Sequence, residues 1–320
     1  MRNKLLGEPY YWTEFGRAYL GNSLELLKGV ADGTVNLIFT SPPFALTRQK
    51  EYGNKSSDEY ADWFMQFAGD FRRILTEDGS LVIDLGGAYL PGRPTRSLYQ
   101  FDLLIRLCRE FGFSLAQDFY HYNPSRLPAP AEWVTVRRIR VKDTVNTVWW
   151  LSKTDHPKAD NRQVLKPYSN SMKQLLKTGY KPKLRPSGHD ISAKFNKDNQ
   201  GAIPPNLLQL ANTESNSAYL KACRKEGIKP HPARFPVGLA DFFIRFLTHE
   251  EDMVLDPFAG SNTTGFAAEK RKRRWIAFEL DETFLKGSML RFTEAGVSRG
   301  VRTGHTALLI GEAGQSQGDD

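Results

Sequence analysis

Residues 253–264, MVLDPFAGSNTT, are the stretch of the sequence that most clearly indicates a fold. Met253–Asp256 is a short apolar run that predicts a buried strand, and a loop of small residues leads from it into a helix expected over residues 263–271. Residues 275–279 (WIAFE) then predict a second buried strand that ends on an acidic side chain. A strand, a loop, a helix and a further strand form the repeating unit of parallel sheets that carry helices on both faces.

The same alternation of apolar strands and helical periodicity runs through the rest of the chain. Asn22 and Glu25 have the spacing of a capping box, so a helix is expected to begin there. The chain is therefore predicted to be an α/β protein with a doubly wound, mostly parallel sheet. Further strands are predicted at residues 18–21, 35–40 and 80–85, a turn at residues 77–79, and helices at residues 58–75, 97–111, 241–248 and 282–295.

Residues 155–230 differ from the segments on either side. They are polar and rich in proline and glycine, and we expect them to supply no regular sheet strand. We interpret them as an inserted region that faces the substrate. The predicted organisation is one half of the α/β domain over residues 1–154, the inserted region over 155–230, the second half over 231–300, and a polar tail over 301–320.

Composition points to a soluble protein that binds a polyanion. The 320 residues include 44 Lys and Arg against 36 Asp and Glu, which gives a formal charge of +8. A basic surface of this kind suits nucleic acid, because neutralised phosphates release counterions. Cys108 and Cys223 are too few for a disulfide framework, and no apolar run predicts an export signal or a membrane span. We expect a cytoplasmic protein without a metal site.

The loop around Gly260 has the position and composition of a nucleoside site. Small residues let the backbone approach a ligand closely, and the following helix offers free N–H groups. Glu279 ends the next strand, where a carboxylate can accept hydrogen bonds from both ribose hydroxyls. Neither the glycine fingerprint of dinucleotide enzymes nor a phosphate-binding loop occurs in the chain. The ligand is thus predicted to be a nucleoside without a pyrophosphate, and S-adenosylmethionine fits that description.

Residues 40–44, TSPPF, follow the other long apolar strand and predict a site for a planar amine. Two prolines fix the backbone, the Ser41 hydroxyl is a hydrogen-bond acceptor, and Phe44 offers a face on which a base can stack. Acceptors on an exocyclic amine favour a pyramidal nitrogen whose lone pair can attack a methyl group. Asp84 ends the neighbouring predicted strand and could accept the proton that is lost.

At this point the sequence resembles the β class of amino DNA methyltransferases, in which the catalytic motif precedes the cofactor loop. The resemblance covers most of the chain, and within the class it is greatest to modification enzymes that act on cytosine N4. It implies that residues 1–154 are the catalytic half, 155–230 the target-recognition region and 231–300 the cofactor half. The segments that carry it are residues 39–46, 50–54, 94–101, 131–143, 231–236 and 256–264.

The resemblance also implies a role for individual residues. Catalysis would rest on Ser41, Pro42, Pro43, Phe44 and Asp84, and the target base would be flipped out of the duplex. The family often has an aspartate at the position of Asn22. Asparagine keeps one hydrogen-bond acceptor of that aspartate but lacks its charge. Positions implied to bind S-adenosylmethionine are Asn22, Thr40, His231, Pro232, Ala233, Phe235, Asp256, Pro257, Phe258, Ala259, Gly260, Ser261, Thr263, Thr264 and Glu279.

Double-stranded DNA is the expected partner. Such enzymes modify a short palindrome, for which the resemblance suggests CAGCTG, and protect it from a restriction endonuclease that acts on the same site without a stable complex. We expect a monomer or a weak dimer. Basic residues predicted to contact phosphates or bases are Arg137, Arg138, Arg140, Lys142, Lys183 and Arg185.

Other functions remain open at this stage to different degrees. A C5-cytosine methyltransferase needs a thiolate next to a proline, and neither Cys108 nor Cys223 has that context. Hydride transfer is disfavoured by the missing pyrophosphate loop. Methylation of adenine N6 stays an alternative, although serine before the two prolines favours cytosine N4. An RNA or protein methyltransferase, and an inactive DNA-binding protein of the same fold, also stay open.

Overall fold

A mixed β-sheet forms the centre of the molecule. The computed structural model describes residues 6–45, 55–179, 197–212, 217–292, 299–303 and 306–310, the last two ranges for the backbone only. In this part of the chain eleven strands pair in the order β11-β10-β1-β2-β9-β8-β3-β4-β6-β5-β7. The strands are β1 Tyr11–Trp12, β2 Gly16–Leu20, β3 Val35–Thr40, β4 Leu75–Leu85, β5 Ser114–Tyr122, β6 Val145–Ser152, β7 Leu207–Gln209, β8 Met253–Asp256, β9 Arg274–Glu279, β10 Arg299–Thr303 and β11 Thr306–Ile310.

Five parallel strands at the centre of the sheet bring the predicted motifs to one edge. β2, β9, β8, β3 and β4 are neighbours and all run in the same direction. Leu20 pairs with Glu279 and Thr40 pairs with Ile83, so these strands end at nearly the same level. The loops that follow them therefore share one edge of the sheet, where doubly wound folds bind ligands.

Helices cover both faces of the sheet because its central strands are apolar on both sides. Ile38 belongs to the hydrophobic cluster under the helices of the first third of the chain, whereas Leu37 and Phe39 belong to the cluster under the later helices. Strands buried on both faces are characteristic of parallel sheets. The helices are α1 Ser23–Lys28, α2 Tyr60–Ile74, α3 Tyr99–Phe111, α4 Asn170–Thr178, α5 Ala218–Lys225, α6 Val237–Leu247, α7 Thr263–Lys270 and α8 Glu282–Ser288.

Local signals in the sequence explain where several helices begin and end. The Asn22 side chain accepts a hydrogen bond from the Leu24 N–H at 3.0 Å and caps α1, so the predicted helix start is confirmed, whereas the Glu25 carboxylate pairs with Lys28. Asn262 has a φ of 50° and caps α7 by accepting from the Gly265 N–H at 3.0 Å. Gly112 has a φ of 68° and ends α3, because glycine enters the left-handed region without a steric penalty.

The predicted fold class is confirmed, and several details are corrected. The predicted turn at residues 77–79 lies inside β4: Val35 pairs with Leu75 and Leu37 with Ser80, so the extra residues of β4 bulge outward and expose Glu77 and Asp78. Helix α6 begins at Val237, ahead of the predicted start. The last helix ends at Ser288 and is followed by a 3-10 turn over Met289–Arg291, while the final predicted positions, 293–295, lie outside the described residues.

The inserted region also differs from the prediction. Residues 155–230 were expected to supply no strand, but β7 pairs in parallel with β5 at the edge of the sheet, with Tyr120 opposite Leu207. Leu208 is the buried side chain of β7, and it packs in the hydrophobic cluster under the later helices. Part of the expected tail forms β10 and β11, which pair with each other beside β1. None of the helices described is long and apolar enough to cross a membrane.

Candidate active site

A cavity of about 630 Å³ lies at the carboxyl edge of the central strands, and Ser41 and Gly260 both line it. This volume lies in the range of small-molecule sites. The two motifs, which are more than 200 residues apart in the sequence, meet there because β3 and β8 are adjacent and parallel. Residues singled out from the sequence that line the cavity are Asn22, Ser41, Pro42, Pro43, Phe44, Asp84, His231, Pro232, Ala233, Phe235, Pro257, Phe258, Ala259, Gly260, Ser261, Thr263 and Glu279.

Thr40, Asp256 and Thr264 were grouped with these residues but do not line the cavity. All three are buried beneath it. The Thr40 hydroxyl donates to Asp256 Oδ1 at 2.9 Å and the Thr264 hydroxyl donates to Asp256 Oδ2 at 2.6 Å. Burial raises the pKa of Asp256 to about 6, against the opposing effect of these hydrogen bonds. The three side chains thus tie β3, β8 and α7 together under the loop that faces the cavity.

Asp84 and Ser41 form the polar centre of one end of the cavity, which we call the Ser41 end. Ser41 Oγ lies 3.3 Å from both the backbone oxygen and Oδ2 of Asp84. Asp84 is almost completely buried, and this burial raises the pKa of its carboxyl group. The nearby His121, the hydrogen bond from Asn146 and the hydrogen bond from Ser41 oppose that rise. A carboxylate with a raised pKa beside a hydroxyl suits proton transfer.

Three further polar residues lie at this end of the cavity and were not predicted from the sequence. Asn146 donates to Asp84 Oδ1 at 3.1 Å, and Arg126 donates to the Asn146 side-chain oxygen at 2.9 Å. His121 Nδ1 lies 3.9 Å from Asp84 Oδ1. His121 and Asn146 are register partners on the antiparallel strands β5 and β6, and all three residues line the cavity. Asn146 could have been noticed as a polar residue beside the apolar run 148–151, whereas β5 gives no such contrast because it also contains Gln117 and Asp118.

The position of Phe44 depends on a glycine in the neighbouring strand end. A Cβ atom on Gly86 would lie 2.6 Å from the Phe44 ring, which is too close for any side chain. Glycine at this position therefore lets the ring lie against the backbone that follows β4. The ring lines the cavity next to Ser41, so a planar group in contact with the serine could also stack on it.

The other end of the cavity is built around Glu279. Its carboxylate accepts hydrogen bonds from the Gly260 N–H at 2.7 Å and the Asp281 N–H at 2.9 Å. Burial raises the pKa of Glu279, and these backbone donors lower it. The Leu280 N–H is a third backbone donor, and because a carboxylate has about four acceptor sites, acceptor capacity remains for a ligand. Gly260 has a φ of 53°, and a Cβ there would lie 3.2 Å from the His231 ring, so the loop packs closely on that side chain.

Aromatic rings form one wall of this end. The ring centroid of Phe258 lies 5.5 Å from that of Trp63 and 5.1 Å from that of Phe67. Trp63 and Phe67 are one turn apart on α2, and both line the cavity. The sequence predicted only a helical stripe that packs in the core, because the spacing of an apolar helix face is the same whether it meets the sheet or a ligand.

Four of the six basic residues predicted to contact DNA belong to the part of the chain that the structure describes, and all four lie between residues 137 and 142. Arg137 pairs with Glu132 at 2.7 Å, and Lys142 donates to the backbone oxygen of Arg126 at 3.3 Å. Arg140 donates to the Pro94 backbone oxygen. Arg138 is exposed. Their role in DNA binding stays a prediction, and two further members of that set, Lys183 and Arg185, lie outside the described residues.

Comparison with known proteins connects this cavity to a family. A family model described as DNA methylase matches residues 35–290. The Type II methyltransferase M.PvuII of Proteus hauseri is 53% identical over 310 residues, which cover 96% of this chain and 92% of that protein. A solved structure described as PvuII DNA methyltransferase (cytosine-N4-specific) is 49% identical, covers 90% of each chain and has a TM-score of 0.74.

A more distant structure shares the fold alone. A DNA modification methylase from Thermus thermophilus, solved in complex with S-adenosyl-L-methionine, is 19% identical with a TM-score of 0.54. The match covers 87% of this chain and 93% of the other.

Proposed function

Because this chain belongs to the DNA methylase family, we propose that it transfers a methyl group from S-adenosylmethionine to N4 of cytosine within a short palindromic duplex site. The observation that carries the proposal is the cavity that has the Ser41–Asp84 pair at one end and the Gly260–Glu279 pair at the other. The family predicted from the two motifs is confirmed by the family model over residues 35–290 and by the relative that is 53% identical. The choice of cytosine N4 follows the specificity of the similar PvuII enzyme and the serine at position 41.

The residues at the Glu279 end fit S-adenosylmethionine. The unused acceptor sites of the Glu279 carboxylate suit a ribose diol, and the rings of Phe258 and Trp63 suit a flat purine. Gly260 packs closely on His231, since a Cβ at residue 260 would lie 3.2 Å from the His231 ring. When bound, S-adenosylmethionine supplies an electrophilic methyl group on a sulfonium that departs as a neutral thioether.

The residues at the Ser41 end would hold the amine and take its proton. The Ser41 hydroxyl donates to Asp84, so its lone pairs are left to accept an N–H of the amine. This contact weakens the delocalisation of the nitrogen lone pair into the ring and favours attack on the methyl carbon. The nitrogen gains one C–N bond and loses one proton, which passes to the Asp84 carboxylate. Asn146 holds that carboxylate in place through its 3.1 Å hydrogen bond.

The cellular setting belongs to the same proposal. Type II methyltransferases are the modification partners of restriction endonucleases, and the relative from Proteus hauseri is such an enzyme by name. We propose that this chain acts in the cytoplasm as a monomer or weak dimer, without a metal ion. A cognate endonuclease would recognise the same site without forming a stable complex. Residues 155–230 would read the sequence of that site in the major groove.

Nucleoside mass spectrometry tests the function directly. Plasmid DNA that contains CAGCTG sites, incubated with the protein and methyl-labelled S-adenosylmethionine, is expected to yield N4-methylcytosine with the label. A plasmid in which those sites are changed is the matched control for the recognition sequence. N6-methyladenine as the product would contradict the cytosine N4 proposal. Transfer of the label to RNA but not to DNA would identify RNA as the substrate. Absence of label in all of them would leave an inactive DNA-binding protein.

Glu279→Gln is expected to weaken the binding of S-adenosylmethionine by about tenfold to a hundredfold, because hydrogen bonds to a charged group contribute about 1.5–3 kcal/mol. The amide keeps the size of the side chain but turns one acceptor into a donor, which cannot satisfy the Gly260 and Asp281 N–H groups together. Isothermal titration calorimetry measures the Kd. Glu251→Gln, on an exposed residue that pairs with Arg274 at the opposite end of β9, is the control. An unchanged Kd for Glu279→Gln would place the ribose elsewhere.

A further inference from the structure

The connection between β5 and β6 begins and ends at the mouth of the cavity. We call residues 123–144 the rim segment. Asn123, its first residue, lines the cavity, and the Asn123 N–H donates to the Thr144 backbone oxygen at 2.8 Å, which closes the base of the segment. Tyr122 and Val145 are the last register pair of β5 and β6. The rim segment is therefore anchored at the edge of the site.

The rim segment combines positive charge with exposed apolar side chains. It has five Lys and Arg residues against two acidic residues. Large apolar residues are usually buried, yet four of them are exposed here, and they are interleaved with the cations. They are Leu127, Val136, Ile139 and Val141, with exposed fractions of 79%, 69%, 60% and 84%. A basic segment with exposed apolar side chains suits a duplex, which offers phosphates outside and a base stack inside.

Of the four exposed apolar residues, Leu127 is the one next in sequence to a residue that lines the cavity. It follows Arg126, which lines the cavity and donates to Asn146 at 2.9 Å. Lys142 donates to the Arg126 backbone oxygen at 3.3 Å and so joins the two arms of the rim segment at this point. Pro128 follows and restricts Leu127 to extended conformations, so little backbone freedom remains to be lost on binding.

We propose that Leu127 inserts into the duplex and fills the space that the flipped cytosine leaves in the base stack. This inference rests on the proposed function, because only a base drawn into the cavity leaves such a space. The gap exposes the faces of the two neighbouring base pairs and the orphaned guanine, and a leucine side chain removes that apolar surface from water. Apolar wedges of this kind are used by proteins that unstack DNA. The Arg126 contact fixes the wedge relative to Asn146 and Asp84, so insertion of Leu127 and delivery of the base to the Ser41 end are coupled.

Single-turnover methyl transfer to two duplexes tests the wedge. In one duplex the target cytosine is paired with guanine, and in the other it faces an abasic position, so that it is already loosened. Leu127→Ala is expected to slow transfer to the paired duplex about tenfold, which corresponds to about 1.4 kcal/mol. On the abasic duplex it should stay within about twofold of the unsubstituted protein, because loosened bases are easier to extrude. Leu127→Met should behave as the unsubstituted protein on both.

Two controls separate insertion from other effects. Ile105→Ala, which truncates an exposed apolar residue on α3, is expected to change neither rate. S-adenosylmethionine affinity of Leu127→Ala should also be unchanged. A full rate for Leu127→Ala on the paired duplex would overturn the wedge alone, and so would an equal loss on both duplexes, which indicates a structural role or a protein-docking surface. No transfer by the unsubstituted protein to either duplex would instead contradict the proposed function and remove the basis of the wedge.

Discussion

Asp84→Asn is expected to slow methyl transfer in a single turnover by a factor of about 10² to 10⁴, the usual contribution of a positioned proton acceptor. Asparagine keeps the shape of the side chain and can still accept the 3.1 Å hydrogen bond from Asn146. Asparagine lacks the negative charge, so the proton released by the amine has no carboxylate acceptor next to the Ser41 hydroxyl. Rapid-quench measurement with labelled S-adenosylmethionine and excess protein gives the rate, and Asp102→Asn on the exposed side of α3 is the control.

The pH dependence of the same rate provides an independent check. Asp84 accepts a proton only while it is ionised, so transfer should fall as the pH is lowered through its pKa. Because burial raises that pKa, the loss should occur at a higher pH than an ordinary aspartate would give. The acidic limb should be absent from the residual activity of Asp84→Asn. An acidic limb of the same position in both proteins would assign it to another group and reduce Asp84 to a structural carboxylate.

The sequence was sufficient to predict the centre of the site because of one topological rule. Parallel strands that are neighbours end at the same edge, so a motif directly after an apolar strand has a location that follows from the sequence alone. Ser41, Asp84, Gly260 and Glu279 each follow or end such a strand, and all four line the cavity. The rule does not depend on the distance between the motifs along the chain.

Residues on the antiparallel side of the sheet were not accessible to that rule. β5 and β6 were not recognised as strands, so nothing predicted that His121 and Asn146 would be register partners next to Asp84. Arg126 lies in the connection between them, where composition suggests only a basic surface. These contacts depend on pairing between segments more than 20 residues apart, and the hydrophobic pattern of one strand does not specify its partner.

A different limit applies to Thr40, Asp256 and Thr264. They belong to the two motifs and were expected to bind the cofactor, yet their polar groups are paired with one another below the cavity. A motif in the sequence combines residues that contact a ligand with residues that hold the loop, because both kinds must stay together to keep the geometry. Only the side-chain directions in the structure separate them. By contrast Phe258, two residues after Asp256, faces the cavity.

Ser41→Ala is expected to lower the single-turnover rate by a factor of about 10² to 10³, similar to the loss of one preorganised hydrogen-bonding group in an enzyme site. The methyl side chain cannot accept an N–H of the amine, so the nitrogen lone pair stays delocalised in the ring. The affinity for S-adenosylmethionine should not change, because Ser41 and Glu279 lie at opposite ends of the cavity. Ser114→Ala, which removes a half-buried hydroxyl of β5 that donates to Asp155 at 2.5 Å, is the matched control.

Combining Ser41→Ala with Asp84→Asn shows whether the two residues act on the same proton. Ser41 Oγ lies 3.3 Å from Asp84 Oδ2, so each residue is expected to contribute little to the rate once the other is removed. The double variant should therefore be only slightly slower than the slower single variant, as is usual for groups that act as a unit. Losses that multiply would mean that the hydroxyl and the carboxylate contribute independently. The proton would then reach Asp84 by a route that does not use the Ser41 hydroxyl.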